Sequence, residues 1–275
     1  MMEWFLNDPE QANAFILGNA GYDVWMGNNR GSKYSKGHIT LSPSDHAYWN
    51  YYQEDMARHD LPTFINYITE KTGQEKISYI GHSEGTTQMF LGASLMPEYF
   101  RDKINLFIAL APVASTANIP SPKIREAAKL IKVLEYKLVY KMNYYNWFAP
   151  MPLIQDGIGA VCDLVPALCE EVGKHLHNED VDNGSRFPMF IANTPSGQSY
   201  RTFVYYAQMI NSGRYALYDY GRLENKQRYG TYEPPLVPVE NIQIPVALMS
   251  GSLDGIADPI DVANLAASLG DQLVF

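Results

Sequence analysis

The stretch "EKISYIGHSEGTTQMF", residues 75–90, decides the fold. Its first part, "KISYI" (76–80), is β-branched and aromatic and reads as a strand. Its last part opens a run of small and apolar residues, Thr86 to about Leu95, that reads as a helix. Between them Gly81-His82-Ser83-Glu84-Gly85 fits the pattern G-x-S-x-G. The pattern alone is weak, since a chain of this length carries one by accident about one time in ten. Its position between strand and helix gives it meaning. At such a turn a serine is held in a strained conformation with its hydroxyl clear of the sheet. Glycines two before and two after let strand and helix approach without a Cβ clash. The helix N-terminus offers N–H groups and a positive dipole end to a developing oxyanion. The competing reading is an ordinary glycine-bounded strand-to-helix turn.

Working outward, the segments upstream alternate. Asp8-Pro9-Glu10 has the form of a helix start, with the helix ending near Gly21, and "YDVWMG" (22–27) reads as a strand. A second helix is expected from an Asp60 cap to Gly73, with Leu61, Phe64, Ile65 and Ile68 on its apolar face. Downstream, "INLFIALAPVA" (104–114) is apolar almost throughout, as a parallel strand covered on both faces would be. This alternation predicts an α/β fold with a mostly parallel sheet. Residues 116–240 read differently: helices, an aromatic-, Met- and Pro-rich stretch "YYNWFAPMPLIQ", and no sustained strand alternation. They are expected to form a helical cap inserted between a first part of the core, 1–115, and its return, 241–275. In the return, "IPVALMSG" is a buried strand, "DPIDVANLAASLG" a helix, and "DQLVF" the start of a last strand.

Composition narrows the function classes. The chain has 275 residues, 46% of them hydrophobic, enough for one sizeable core. A net charge of −9 argues against nucleic acid or anionic membranes as partners. No apolar run reaches the roughly 18–20 residues of a transmembrane segment, and "MMEWFLNDPEQ" lacks the basic and apolar regions of a secretory signal peptide. Cys162 and Cys169 would pair in an oxidising compartment or remain two free thiols; both readings stand. The sequon at Asn183-Gly184-Ser185 has meaning only in a secreted protein.

Six stretches carry a resemblance that covers nearly the whole chain: "NAGYDVWMGNNRG", "DMARHDLP", "YIGHSEGTTQMF", "ALAPVA", "SGRYALYDYG" and "SGSLDGIADPIDV". In order and spacing they resemble the acid lipases, the α/β-hydrolase family that includes gastric lipase and lysosomal acid lipase. The resemblance implies a serine carboxylic-ester hydrolase of lipid esters, triacylglycerol or sterol ester, working at an interface through an acyl-enzyme. It implies no metal or organic cofactor, and a secreted or lysosomal location. Ser83 would be the nucleophile, the Glu84 backbone N–H an oxyanion donor, and His82, Gly81 and Gly85 supporting residues. The cap aromatics Tyr144, Tyr145, Trp147 and Phe148 would line an acyl tunnel or form the cap's own core.

The fold orders its catalytic groups as serine, acid, histidine. Asp254 matches the family's acid by motif. Asp258 competes, but it precedes Pro259 and fits better as a helix cap. No histidine follows His177; the others are His38, His46, His59, His82 and His175. The expected base is therefore absent from residues 1–275, and so is the upstream HG-type turn that supplies a second oxyanion N–H. The chain is expected to be a fragment cut at both ends, inactive by itself, with a gap in its sheet between "YDVWMG" and "KISYI". The Glu84 side chain is expected to point outward, away from the oxyanion. Two rival readings remain: a non-catalytic α/β-hydrolase-fold protein that binds a lipid or a partner, and an acyltransferase on the same scaffold.

Overall fold

The computed structural model describes residues 4–147, 149 and 183–275. Phe148, Cys162, Cys169, His175 and His177 lie outside the described residues. Contacts divide the chain into two compact units, Met1–Ile39 with Asn146–Gln198, and Thr40–Tyr145 with Ser199–Phe275.

In the first unit the expected opening helix starts late, at Asn13, and ends at Asn19. The reason lies at Asp8. Its carbonyl closes a turn with the amides of Gln11 and Ala12 (2.9 and 2.8 Å), and its carboxylate accepts from Asn183 Nδ2 at 2.7 Å instead of capping a helix. That bond also engages the amide nitrogen of the sequon asparagine. The expected strand at 22–27 does not form. Tyr22, Trp25 and Met26 are exposed, and the segment joins no ladder among the described residues. A strand exists only through a partner's hydrogen bonds, and apolar alternation cannot supply one. The expected gap between this segment and "KISYI" therefore has no strand on its far side.

The second unit carries the sheet. Its elements in chain order are α1 (Leu61–Thr72), β1 (Ile77–His82), α2 (Glu84–Leu95), α3 (Pro97–Lys103), β2 (Ile104–Leu110), α4 (Pro122–Lys129), α5 (Ile131–Leu134), α6 (Tyr200–Ser212), α7 (Arg222–Tyr229), β3 (Val246–Met249) and α8 (Pro259–Leu269). All three strands run parallel in the order β1-β2-β3, with Tyr79 beside Phe107 and Phe107 beside Val246. The "DQLVF" segment continues the sheet beyond β3: Leu273 bridges Val246, and the Val274 amide donates to the Val246 carbonyl at 2.9 Å. The expected α/β class with a parallel sheet is what forms.

α1 departs from its expected start. Asp60 makes no side-chain cap, because the helical path enters from Gln53–Asp55 through a wide turn at Met56–Asp60. The Asp55 carboxylate caps that entry, accepting from the Tyr52 amide at 3.0 Å. The exit is as expected, with Gly73 in the left-handed region at φ +72° and its amide on the Thr69 carbonyl.

α2 is buried continuously from Thr86 to Ser94. Such a helix has neighbours on all sides, which explains its small residues and lack of an apolar stripe. Phe90 meets Phe107 of β2 edge-on at 4.9 Å, and Phe100 of α3 packs so closely that a Cβ on Gly92 would lie 2.7 Å from its ring. β2 is covered less evenly than its sequence suggests: Phe107 and Ala109 are fully buried, whereas Leu106, Ile108 and Leu110 on the other face are half-buried.

At the β1–α2 crossing the two glycines differ. A Cβ on Gly81 would lie 2.9 Å from the Gly85 carbonyl carbon and 2.9 Å from the Tyr79 ring. A Cβ on Gly85 would meet only the Tyr79 hydroxyl, at an ordinary 3.5 Å. We therefore expect Gly81→Ala to lower unfolding stability by about 2 kcal/mol or more through overpacking. Gly85→Ala should stay within about 1 kcal/mol of wild type, because a helical alanine is favoured over glycine. Urea unfolding of the two variants checks this.

Candidate active site

Ser83 ends β1 and caps α2 with φ +49° and ψ −112°, a conformation that non-glycine residues avoid. Such strain costs of order 1–3 kcal/mol and persists only where neighbours fix it. Here the fixing groups are visible. The Ser83 amide continues the parallel ladder by donating to the Leu110 carbonyl at 3.0 Å, and its carbonyl accepts from the Thr86 amide (2.9 Å) and hydroxyl (2.6 Å). Thr86 Oγ1 in turn accepts from the Val113 amide at 2.8 Å, and Thr87 Oγ1 donates to the Val113 carbonyl at 2.6 Å. Two buried threonines thus tie the start of α2 to the segment after β2. The Tyr206 hydroxyl of α6 lies 3.1 Å from Thr87 Oγ1.

Asp254 follows β3 as Ser83 follows β1, so both sit at the C-terminal end of the same parallel sheet. The strands β1 and β3 flank β2, which separates their ends by two strand spacings, roughly 10 Å. The Ala111 amide, just past β2, donates to the Met249 carbonyl at 2.8 Å and carries the ladder to that edge. Asp254 is half-buried, and its Oδ1 accepts from the amides of Ile256 and Ala257, both at 2.9 Å. These bonds orient the carboxylate through one oxygen. Asp258 does something else: its Oδ1 accepts from the Ile260 amide at 2.8 Å and caps α8.

Glu84 corrects an expectation. Its carboxylate is half-buried and turned toward the protein, accepting from Nε2 of the fully buried Gln53 at 3.2 Å. An amide in a dry site needs an acceptor, and the carboxylate supplies it; the reverse amide orientation would set oxygen against oxygen. Burial first, and the Glu84 carboxylate second, push the Tyr79 and Tyr206 hydroxyls well above the usual phenol range.

The described histidines are distributed. His82 is exposed beside Ser83, and His59 and His38 are exposed elsewhere. His46 is half-buried: its Nε2 lies 2.9 Å from the Tyr200 hydroxyl and its ring stacks on Tyr145 at 4.7 Å. Burial, then the Arg201 charge, hold its pKa below the ordinary histidine value. The hydrogen bonds at Ser83 among the described residues are those of its backbone. Of the aromatics, Trp147 is buried and Tyr144 exposed. Sequence reasoning missed Thr86, Thr87, Gln53 and Tyr206. The adjacent threonines at the head of a buried helix were the available signal, since a buried hydroxyl needs a fixed partner.

Comparison with known proteins identifies the family. Residues 7–275 match the family profile described as alpha/beta hydrolase fold. Lipase member K of Homo sapiens is 35% identical over 278 residues, covering 99% of this chain and 68% of that protein. Gastric triacylglycerol lipase of Rattus norvegicus is 36% identical over 98% of this chain and 68% of its own length. The Homo sapiens gastric lipase is 33% identical over 97% and 67%. With a matching family profile over almost its full length and lipases aligned along nearly all of this chain and about two thirds of their own, the chain belongs to the alpha/beta hydrolase fold family, in the group of lipases that includes gastric lipase.

Proposed function

We propose that the chain carries the nucleophile and acid of a serine carboxylic-ester hydrolase that acts on lipid esters, triacylglycerol or sterol ester, at an interface. The observation that carries this reading is the strained Ser83 at the sheet edge, held by buried threonines, two strands from an oriented Asp254. In this reading the Ser83 hydroxyl attacks the ester carbonyl and its proton passes to an imidazole. The tetrahedral oxyanion is held by the Glu84 amide, the first N–H of α2, at the positive end of the helix. Collapse expels the alcohol and leaves an acyl-enzyme, which water then cleaves. His82, Gly81 and Gly85 support the turn. Residues 116–240 act as the cap over the acyl chain, and the compartment is secreted or lysosomal, in keeping with relatives named gastric lipase.

The imidazole is the group that residues 1–275 do not supply in the order the fold requires. No histidine lies between Asp254 and Phe275, and we propose that the base comes from outside these residues. Loss of the histidine in a serine hydrolase costs about a millionfold in turnover. Residues 1–275 alone should therefore hydrolyse p-nitrophenyl esters no faster than their Ser83→Ala variant, whereas the chain carried further at both ends should gain Ser83-dependent turnover. Turnover by residues 1–275 that disappears in Ser83→Ala would overturn this and make His59 and His175 the first candidate bases to replace.

The two carboxylates separate in a second experiment on the longer chain. Asp258→Ala should cost about 1 kcal/mol of unfolding stability, the worth of a helix cap, and leave kcat within a few-fold. Asp254→Ala should lower kcat by several orders of magnitude, because an unoriented imidazole takes the wrong tautomer. Urea melts and kcat for the pair decide it; the reverse pattern assigns the acid to Asp258.

A further inference from the structure

Gln53 is an unfavourable residue where it stands. It opens the Gln53–Asp55 turn before α1, it is fully buried, and among the described residues its Oε1 has no hydrogen-bond partner. A buried amide with an orphaned oxygen destabilises a fold relative to an apolar side chain of the same shape. Stability alone therefore favours methionine or leucine here, and the amide calls for another reason. That reason lies on its nitrogen.

The direction of the amide is fixed from a distance. Thr87 Oγ1 donates to the Val113 carbonyl at 2.6 Å, so it must accept from the Tyr206 hydroxyl 3.1 Å away. With its proton committed there, the Tyr206 oxygen accepts a hydrogen bond from Gln53. Only the Nε2 end of the amide donates. Nε2 has a second proton, and the Glu84 carboxylate takes it at 3.2 Å. A directional chain of hydrogen bonds thus starts at a backbone carbonyl after β2 and ends on the residue that follows Ser83.

Glu84 has two opposite influences on an oxyanion. Its amide, the first N–H of α2, favours negative charge at that point, and its carboxylate repels it. Both groups belong to one residue, so they stay within about 5–6 Å of each other in every rotamer. At that range a like charge is felt even at the effective dielectric of a protein surface, and its effect depends on which way the carboxylate turns. Tyr79 and Tyr206 add no charge of their own, since burial and then Glu84 keep both phenols neutral.

We propose that Gln53 is a positioning residue for the Ser83 reaction. Its Nε2 holds the Glu84 carboxylate toward the Gln53–Asp55 turn, so that the Glu84 amide serves the oxyanion without its own side chain opposing it. This rests on the hydrolase reading and adds to it a residue that acts through Glu84.

The test is p-nitrophenyl ester turnover at neutral pH by the chain carried further at both ends. Gln53→Met keeps the length of the side chain and removes the donor. It should lower kcat about tenfold, the effect of a like charge brought a few ångströms nearer, with KM changed less than about twofold. Glu84→Gln keeps the backbone amide, removes the charge and should raise kcat. In that background Gln53→Met should no longer lower it, because the charge it would release is gone. Circular dichroism checks folding, and Gln53→Leu, read in the same two backgrounds, is a second apolar replacement. An equal loss in both backgrounds assigns Gln53 a structural role only and overturns the proposal. So does a Gln53→Met protein as fast as wild type, or a Glu84→Gln protein slower than it. Wild-type turnover that does not depend on Ser83 overturns the hydrolase reading and this proposal with it, whereas Ser83-dependent turnover indifferent to Gln53 overturns this proposal alone.

Discussion

Everything at the sheet edge depends on how closely β1 and α2 cross. The backbone reverses from strand to helix within the five residues Gly81–Gly85, and the space where a Gly81 Cβ would stand is filled by the Gly85 carbonyl carbon and the Tyr79 ring. That closeness forces the intervening serine to positive φ and lifts it off the sheet. The cost is local and the compensation is distributed. Ladder bonds from the end of β2, two threonine hydroxyls and a helix buried along nine consecutive residues hold the turn in place. A strained residue in so rigid a setting is what preorganised chemistry requires, because the hydroxyl and the first helix amide keep their relation without reorganisation.

The electrostatic setting of the turn is less simple than its geometry. A carboxylate one residue after the serine faces inward, bonded to a buried amide and close to two phenols. Negative charge at that position opposes an oxyanion, and the Gln53 bond draws it toward the 53–55 turn. Gln53 thereby links the entry to α1 with the start of α2, so the chain upstream of β1 has a direct hold on the candidate site.

Much of this was legible in the sequence, for a physical reason. Strand-to-helix turns with glycines at fixed offsets encode a steric requirement, and the requirement survives in the residues: "YIGHSEGTT" could be placed at the end of a parallel strand without coordinates. Asp258-Pro259 carried its cap in the same way. What failed were inferences about partners. "YDVWMG" has a strand's composition but no ladder among the described residues, and Asp8 and Asp60 have the form of helix caps, while the Asp8 carboxylate holds Asn183 and Asp60 lies inside a helical path that starts earlier. Glu84 was expected to avoid the interior on charge alone; a buried amide 31 positions upstream reversed that, and no local pattern announces such a pair.

The central proposal is that Ser83 and Asp254, which end strands two apart in the sheet, work through an imidazole placed between them. Added imidazole tests it directly in residues 1–275. The measurement is the covalent adduct formed by a fluorophosphonate, located by peptide mass, with and without imidazole in the buffer. The account predicts imidazole-dependent phosphonylation at Ser83 that is absent in Ser83→Ala and sharply reduced in Asp254→Ala. Adduct formation at another residue, or at Ser83 to the same extent in the Asp254→Ala protein, would contradict it.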